Sequence, residues 1–376
     1  MQPLTHYSSR LRRILLDQLR PGQPESSGHS PTKSGSLEAQ SRAHHNHPDL
    51  LARAASRIQP PGANLIWNKG LAALSDWRIP DEFPPELGYT TAPLLAGADV
   101  NWRTPRNLIP APSTYASIPD GAVIWLRLSW IKSFLHQVLP LLRSRFILVT
   151  ADSDSPVPSS IRRVARTLVN DPRLIHWYAQ NYDGSDHRTR ISPAPIGIDY
   201  HTLCDRPMWG EPIASPAEQE SVLLSIRDSL PPLAERIPSV YVDFGWQRTR
   251  LGGRKGLIHK LRGNPHVCLQ EAPLGRSEMW RRRGRYAFVL SPPGNGLDTH
   301  RLWESLALGH IVLTPASSLD PLFRGLPVVP FQHWSEIQGP HLERWLAAHC
   351  LAEARLEKKL TSADWISRIR TGQPLL

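Results

Sequence analysis

The sequence predicts an α/β protein built from two tandem units, each a parallel sheet covered by helices on both faces. Three observations carry that reading. Short apolar runs rich in Val, Ile and Leu alternate with segments of helical period from Gly121 onward. Hairpin signals between those runs are few, so successive strands should be joined by crossovers. A polar stretch rich in glycine and proline, "SPPGNGLDTHR" (Ser291–Arg301), stands between an apolar run and a helix-period segment. Open α/β sheets carry their ligands at such loops.

Taken in order, "SSRLRRILLDQLRPG" (residues 8–22) places Leu11, Ile14, Leu15 and Leu19 at helical spacing. It predicts a short basic amphipathic helix, loosely docked or touching a membrane surface or partner. Residues 23–48 are rich in Ser, Gly, Pro and His, so residues 1–50 read as a disordered or loosely docked segment. His44, His45 and His47 have no partner cysteine, and no metal is expected there.

Folded sequence begins near Leu51. "GAVIWLRL" (Gly121–Leu128) and "RFILVTAD" (Arg145–Asp152) predict strands. Between them Trp130, Phe134, Leu135, Val138 and Leu142 recur at helical period, with Pro140 expected to kink or end the helix. "SSIRRVARTLVND" (Ser159–Asp171) predicts a helix capped by Ser160, with Ile161, Val164, Ala165 and Leu168 on one face. "LIHWYAQN" and "APIGID" are short, apolar and strand-like. The units should join near Asp199–Gly210, which divides residues 51–205 from residues 206–376. In the second unit "SVLLSIRDSL" and "SVYVDFG" precede a helix over Lys255–Leu261. "YAFVLSP", "HIVLTP" and "LPVVPF" predict further strands, and His341–Ile369 a mostly helical end.

The net charge is +11, and only seven of the 44 basic residues are lysine. Arginine offers a planar fork suited to phosphate or carboxylate. Such a balance fits nucleic acid, an acidic surface or a phosphorylated small molecule, and clusters such as Arg281, Arg282, Arg283 and Arg285 are short. Cys204, Cys268 and Cys350 stand apart without CxxC spacing, which excludes a disulfide framework and suits a reducing compartment. No apolar stretch is long enough to span a membrane and no signal-peptide core is present, so the expected address is the cytoplasm.

Within the Ser291–Arg301 stretch, Gly294 and Gly296 permit positive φ and close backbone approach. The helix that follows presents free N–H groups and its positive end, which favour phosphate. Arg301 and Glu304 are neighbours on one helix face. They offer a cation for phosphate beside a carboxylate for ribose hydroxyls. Asp298 or Thr299 would serve equally as an ordinary N-cap, and Arg301–Glu304 as a surface ion pair. The G-x-G-x-x-G fingerprint fails at Thr299, and no G-x-x-x-x-G-K-[ST] occurs, so dehydrogenase and P-loop readings fall.

"SPPGNGLDTHRLWESLALGHIVL" is similar to the nucleotide-sugar-binding segment of exostosin-like glycosyltransferases, including the C-terminal domain of the ribitol xylosyltransferase group. In that family a small-residue turn leads into an Arg-x-x-Glu helix, then Leu/Ala, Gly and an apolar strand. "FILVTADSD", "IHWYAQN" and "PIGIDYHTL" also resemble pieces of bacterial and algal members. The resemblance runs from about Arg145 to Phe331 and is strongest over Ser291–Gly309. It implies a GT-B-like fold, two Rossmann-type domains with parallel sheets facing a cleft, the donor on the C-terminal domain and the acceptor in the cleft. It further implies that Arg301 and Glu304 contact diphosphate and ribose, that Ser291, Asn295, Gly296, Asp298 and Thr299 shape the loop, and that His300 lies beside the donor. Golgi members carry an N-terminal membrane anchor that this sequence lacks, a departure pointing away from a secretory-pathway polysaccharide substrate.

A second donor segment is read in "VDFGWQRTRLGGRKG", with Arg248, Arg250, Arg254 and Lys255 around a Gly252-Gly253 turn and Arg254 chosen for the diphosphate. "FILVTADSD" ends in Asp152-x-Asp154. That pair suits Mn²⁺ or Mg²⁺ in a GT-A-type site, a general base in an inverting displacement, or the capping of the turn before Ser159. The base is favoured and a metal is not, because the donor-like loop lies in the other unit. Gln180, Asn181 and Asp183 are candidates for sugar hydroxyls of the acceptor. The expectation is therefore a nucleotide-sugar-dependent glycosyltransferase acting on a hydroxyl of a glycan or glycoconjugate, inverting, with no obligatory cofactor. The alternative is a non-catalytic basic protein that binds nucleic acid or an anionic glycan.

Overall fold

Two five-stranded sheets, parallel throughout, organise the chain. The computed structural model describes residues 63–79, 109, 112–185, 190–244, 251, 253–350 and 356–375. The helix expected over residues 8–22 and the linker that follows it lie outside these. The first sheet holds β1 (Trp77–Ile79), β2 (Ala122–Arg127), β3 (Phe146–Ala151), β4 (Leu174–Gln180) and β5 (Ile191–Ala194), in the spatial order of the sequence. All six residues of β3 are buried. Such continuous burial is what a parallel strand covered on both faces requires, and it explains why the strand reads as one unbroken apolar run.

The second sheet holds β6 (Ile237–Val242), β7 (Val267–Leu269), β8 (Tyr286–Leu290), β9 (Ile311–Pro315) and β10 (Val328–Phe331). Its spatial order is β7-β6-β8-β9-β10. The chain therefore builds one way from β6 to β7 and the other way from β8 onward, which makes a topological switch between β6 and β8.

The helices are α1 (Asn68–Leu74), α2 (Arg162–Asn170), α3 (His201–Asp205), α4 (Pro216–Asp228), α5 (Arg254–Leu261), α6 (Arg276–Arg283), α7 (His300–Ala307), α8 (Gly339–His349), α9 (Leu356–Lys359) and α10 (Ser362–Arg370). Three segments depart from expectation. Residues 128–141 wind as short 3-10, α and π turns, and Pro140 lies in the closing 3-10 turn. Proline cannot supply the N–H that a regular helix needs there. Ser160 does not cap α2: Ile161 occupies the cap position behind a 3-10 turn, and the Ser160 hydroxyl donates to the Pro156 carbonyl. Of "APIGID" only Ala194 belongs to a strand, because Gly197 takes φ 70° and turns the backbone against Trp67. "SVLLSIRDSL" completes α4, which opens on a Ser215–Glu218 capping box.

Alternate residues of the strands face two different cores. Val123, Trp125, Ile147, Val149 and Tyr178 point into a central cluster that also takes Leu302, Trp303 and Leu306 of α7 and Trp365 of α10. Ile124, Leu126, Phe146, Leu148 and Trp177 fill the other side of the first sheet. The last helix thus returns to the first sheet. The Trp303 and Trp365 rings meet edge to face at 5.9 Å, and Ser362 Oγ donates to the Leu65 carbonyl at 3.0 Å. Among the described residues no helix is long and apolar enough to cross a membrane.

Each sheet buries one histidine as a neutral base. Burial, then Arg190, lowers the pKa of His176 to about 4, with its Nε2 2.8 Å from Ser192 Oγ. Burial, then Arg236 and Arg283, drives His310 well below its ordinary value. Both folded values lie below the unfolded one, so the unfolded chain binds more protons in acid. The stability from these residues is complete above about pH 6.5 and is lost as pH falls toward 4, by about 1.4 kcal/mol per pH unit per histidine. Urea midpoints should fall between about pH 7 and about pH 5, and His176→Gln should flatten that slope relative to wild type.

Candidate functional site

The switch point between β6 and β8 carries a concentration of charge. Asp243, which follows β6, is fully buried. Arg283 Nε donates to its Oδ2 at 2.8 Å and Arg301 Nε to its Oδ1 at 2.7 Å. Burial opposes ionisation of Asp243, but the two guanidiniums outweigh it and hold its pKa low. Glu304 is buried one turn along α7 from Arg301. Its Oε1 accepts from Arg276 at 2.9 Å and its Oε2 from Trp280 at 3.1 Å. The carboxylate expected on ribose is thus already engaged, and its contacts fix Arg276 and Trp280 of α6.

Arg254 completes the cluster. Its Nε donates to the Pro293 carbonyl at 3.1 Å, and its guanidinium lies 5.3 Å from the Phe244 ring, which Arg301 approaches at 5.8 Å. Burial, then repulsion from Arg301, lowers the Arg254 pKa to about 10. Among the described residues Arg276, Arg283 and Arg301 share two carboxylates, Asp243 and Glu304, while Arg254 meets only the Pro292 and Pro293 carbonyls. Positive charge is therefore left over at Arg254.

That surplus borders a cavity of about 520 Å³ lined by Arg254, Lys260, Pro292, Pro293, Leu297 and Trp334, among others. The cavity also touches the first turn of α5. Gly253 precedes that helix at φ 86°, and no side chain caps it. Free backbone N–H groups therefore add to the positive field. Arg248 and Arg250 lie outside the described residues, as does the side chain of Lys255.

The loop Ser291–Thr299 joins this cavity to the first sheet. Gly294 and Gly296 are absent from the positive-φ residues. They are small for another reason. A Cβ on Gly294 would stand 2.9 Å from Arg254 Nη2, and one on Gly296 would stand 2.6 Å from the Asn181 amide. Thr299 occupies the cap position of α7 without a side-chain cap bond, and its hydroxyl meets Ser291 Oγ at 2.7 Å. Asp298 instead receives Ile196 N at 2.8 Å and Trp303 Nε1 at 2.9 Å. Asn295 is exposed on the loop.

At the carboxyl edge of the first sheet the expected acidic pair divides. Asp152 takes φ 58°, and one oxygen, Oδ2, meets Lys69 Nζ and Arg127 Nε, each at 2.6 Å. Burial raises its pKa, but Lys69 and Arg127 win and leave it far below the usual range. For Lys69 the balance is reversed: burial prevails and its pKa is lowered. A carboxylate so paired is a poor proton acceptor. Asp154 is exposed and makes no bond to the described residues. Of the acceptor candidates, Gln180 accepts from Asp152 N at 3.0 Å, Asn181 bridges Ser153 O and Asp298 N, and Asp183 accepts from Ser159 N at 3.1 Å.

Asp199 and His201, just past β5, and His300, which opens α7, form a third cluster that the sequence reading used only in part. His201 Nδ1 stands 3.0 Å from Asp199 Oδ1, and the His201 and His300 ring centres are 5.6 Å apart. Burial lowers the pKa of His201 to about 4. Burial raises that of Asp199, but the nearby histidines and Thr202 bring it to about 2. The overlooked residues Asp243, Lys69, Arg127, Asp199 and His201 all flank strand ends or α1. Only Asp243, at the end of "SVYVDFG", offered a local signal. No family model matches the chain, and no curated protein matches it. The class that fold and site define is an α/β protein of two parallel sheets with an arginine-bordered cavity near the switch point of the second.

Asp243→Asn should leave Arg301 without its counter-charge and the buried Arg283 with only Glu304, 3.7 Å away. Breaking such a pair costs about 3–5 kcal/mol, to be read by chemical denaturation. A loss under about 1 kcal/mol would show that solvent already screens the cluster.

Proposed function

We propose that the chain is a nucleotide-sugar-dependent glycosyltransferase of GT-B type. The observation that carries this reading is Arg254, which bonds only the Pro292 and Pro293 carbonyls and lines a cavity of about 520 Å³ at a switch point where Arg301 pairs with Asp243. The motif likeness of Ser291–Gly309 to exostosin-like enzymes supplies the donor class. The nucleoside packs among Trp334, Pro292 and Leu297. The diphosphate lies on Arg254, Arg301 and the first turn of α5, where phosphate charge is favoured.

The acceptor enters from the carboxyl edge of the first sheet. Its hydroxyl oxygen attacks the anomeric carbon as the bond from that carbon to the diphosphate oxygen breaks, and the hydroxyl proton passes to a carboxylate. Asp154 fits that role better than Asp152, which Lys69 and Arg127 hold ionised. Arg254 and Arg301 stabilise the charge that develops on the leaving diphosphate. One displacement of this kind inverts the anomeric centre.

Calorimetry with a panel of nucleoside diphosphates, in chelator and again with Mn²⁺, tests the reading. One nucleotide should bind stoichiometrically in chelator. At about 100 times its dissociation constant it should stabilise the fold by about 2.7 kcal/mol. Arg254→Ala and Arg301→Ala should each weaken binding by at least about tenfold, the loss of one charge-assisted contact. If no nucleotide binds and polyanions bind with steep salt dependence, the chain is a basic binding protein instead.

A further inference from the structure

The Asp199–His201–His300 cluster has no part assigned to it in the nucleotide site proposed above. We infer that these three side chains form a site for one divalent transition-metal ion, Zn²⁺ foremost, where the two sheets meet. One ligand atom from each lies within 4.8 Å of the other two. Bonds of about 2.0–2.2 Å from nitrogen and oxygen to zinc are within reach by small side-chain rotations. Two imidazoles and one carboxylate select a borderline transition ion over Mg²⁺ or Ca²⁺, which prefer oxygen throughout.

Three details argue for an ion over an ordinary hydrogen-bonded pair. His201 Nδ1 is buried and 3.0 Å from Asp199 Oδ1, yet it makes no hydrogen bond. A ring nitrogen and a carboxylate oxygen at that separation are close enough to ligate one ion together. His300 Nδ1 lies 2.7 Å from the Gly197 carbonyl, which can only accept, so Nδ1 carries the proton and Nε2 keeps its lone pair. The Asp199 carboxylate is in turn oriented by Thr202, from N at 3.0 Å and from Oγ1 at 2.8 Å. Outer contacts of this kind fix the ligands of metal sites.

The surrounding charge permits a cation. Of the basic groups nearby, Lys69 and Arg127 are turned onto Asp152, and Arg276, which donates to the Asp199 carbonyl at 2.6 Å, is paired with Glu304. Asp199 supplies one negative charge to the ion itself. His201 and His300 are partly exposed, so a fourth position is open to water or a substrate oxygen. Asp199 and His201 follow the first sheet while His300 opens α7, so the ion ties the two sheets together.

The test uses the full chain, stripped with chelator and titrated with Zn²⁺ by calorimetry, with metal content counted and Co²⁺ absorption recorded. One ion per chain should bind, and Co²⁺ should give visible bands of nitrogen and oxygen ligation. Asp199→Asn, His201→Gln and His300→Gln should each weaken binding by at least about 100-fold, since even outer contacts cost 10–100-fold. The combined variant His44→Ala, His45→Ala, His47→Ala should bind as wild type does. Absence of a bound ion would overturn the proposal. So would binding that survives the first three substitutions and vanishes in the combined variant. The wild-type Co²⁺ spectrum and that combined variant decide the matter even where a single substitution prevents folding. Nucleotide binding measured in chelator is independent of the ion, so either reading can fail alone.

Discussion

Without the Asp298 carboxylate, three N–H donors at the meeting of the two sheets would lose their acceptor. Ile196 N reaches Oδ2 at 2.8 Å, Thr299 N reaches Oδ1 at 2.8 Å, and Trp303 Nε1 lies 2.9 Å from Oδ1. The backbone N–H of Asp298 donates to Asn181 Oδ1 at 2.9 Å, and Asn181 Nδ2 donates to Ser153 O at 2.8 Å. Loops after β3, β4, β5 and β8 are therefore pinned to one point. Burial pushes the Asp298 pKa up to about 6, against the pull of these donors. A carboxylate pays that desolvation because buried N–H groups left unpaired are costly. Gly296 follows from the same constraint, since the Asn181 amide occupies the space a side chain would need.

Charge inside the second sheet obeys a related rule. Buried ions persist where they are paired, and breaking a pair costs more than forming it gains. Arg283, with its side chain wholly buried, meets Asp243 and lies 3.7 Å from Glu304. Arg236 sends its guanidinium to the Leu308 and Gly309 carbonyls at the end of α7, where positive charge satisfies the helix terminus. These arginines have found acceptors within the protein. Arg254 differs in its setting: it bonds two loop carbonyls and lines the cavity beside α5.

Much of this architecture was legible in the sequence. Strands such as "FILVTA" and "AFVL" are unbroken apolar runs because both of their faces are covered, and helices such as α2 and α7 show their period plainly. The loop after β8 was also readable, as was the placing of Arg254 and Arg301 near it. Strand order was not, because the reversal between β6 and β8 depends on pairing between segments and leaves no local trace. Burial of Glu304 was hidden for a similar reason: its partners Arg276 and Trp280 sit on another helix. Asp152 read as a reactive carboxylate because Lys69 and Arg127, which neutralise it, come from distant parts of the chain. Asp199 and His201 were read only as part of the junction between the two units.

The first turn of α7 is where the two chemistries touch. His300 and Arg301 are consecutive, hence about 100° apart around the helix. The first bonds to Gly197 beside β5, and the second to Asp243 beside β6. One short helix start thus carries an imidazole toward the end of the first sheet and a guanidinium toward Asp243 at the end of β6. Trp303, one turn below, is locked between Asp298 and Trp365, so this turn cannot shift without disturbing the central core. Rigidity of that kind suits the transfer we propose, because reacting atoms must be held within a narrow range of separations. Anchoring both side chains on one well-packed turn fixes the distance between the guanidinium and the imidazole cluster with no reliance on the longer loops.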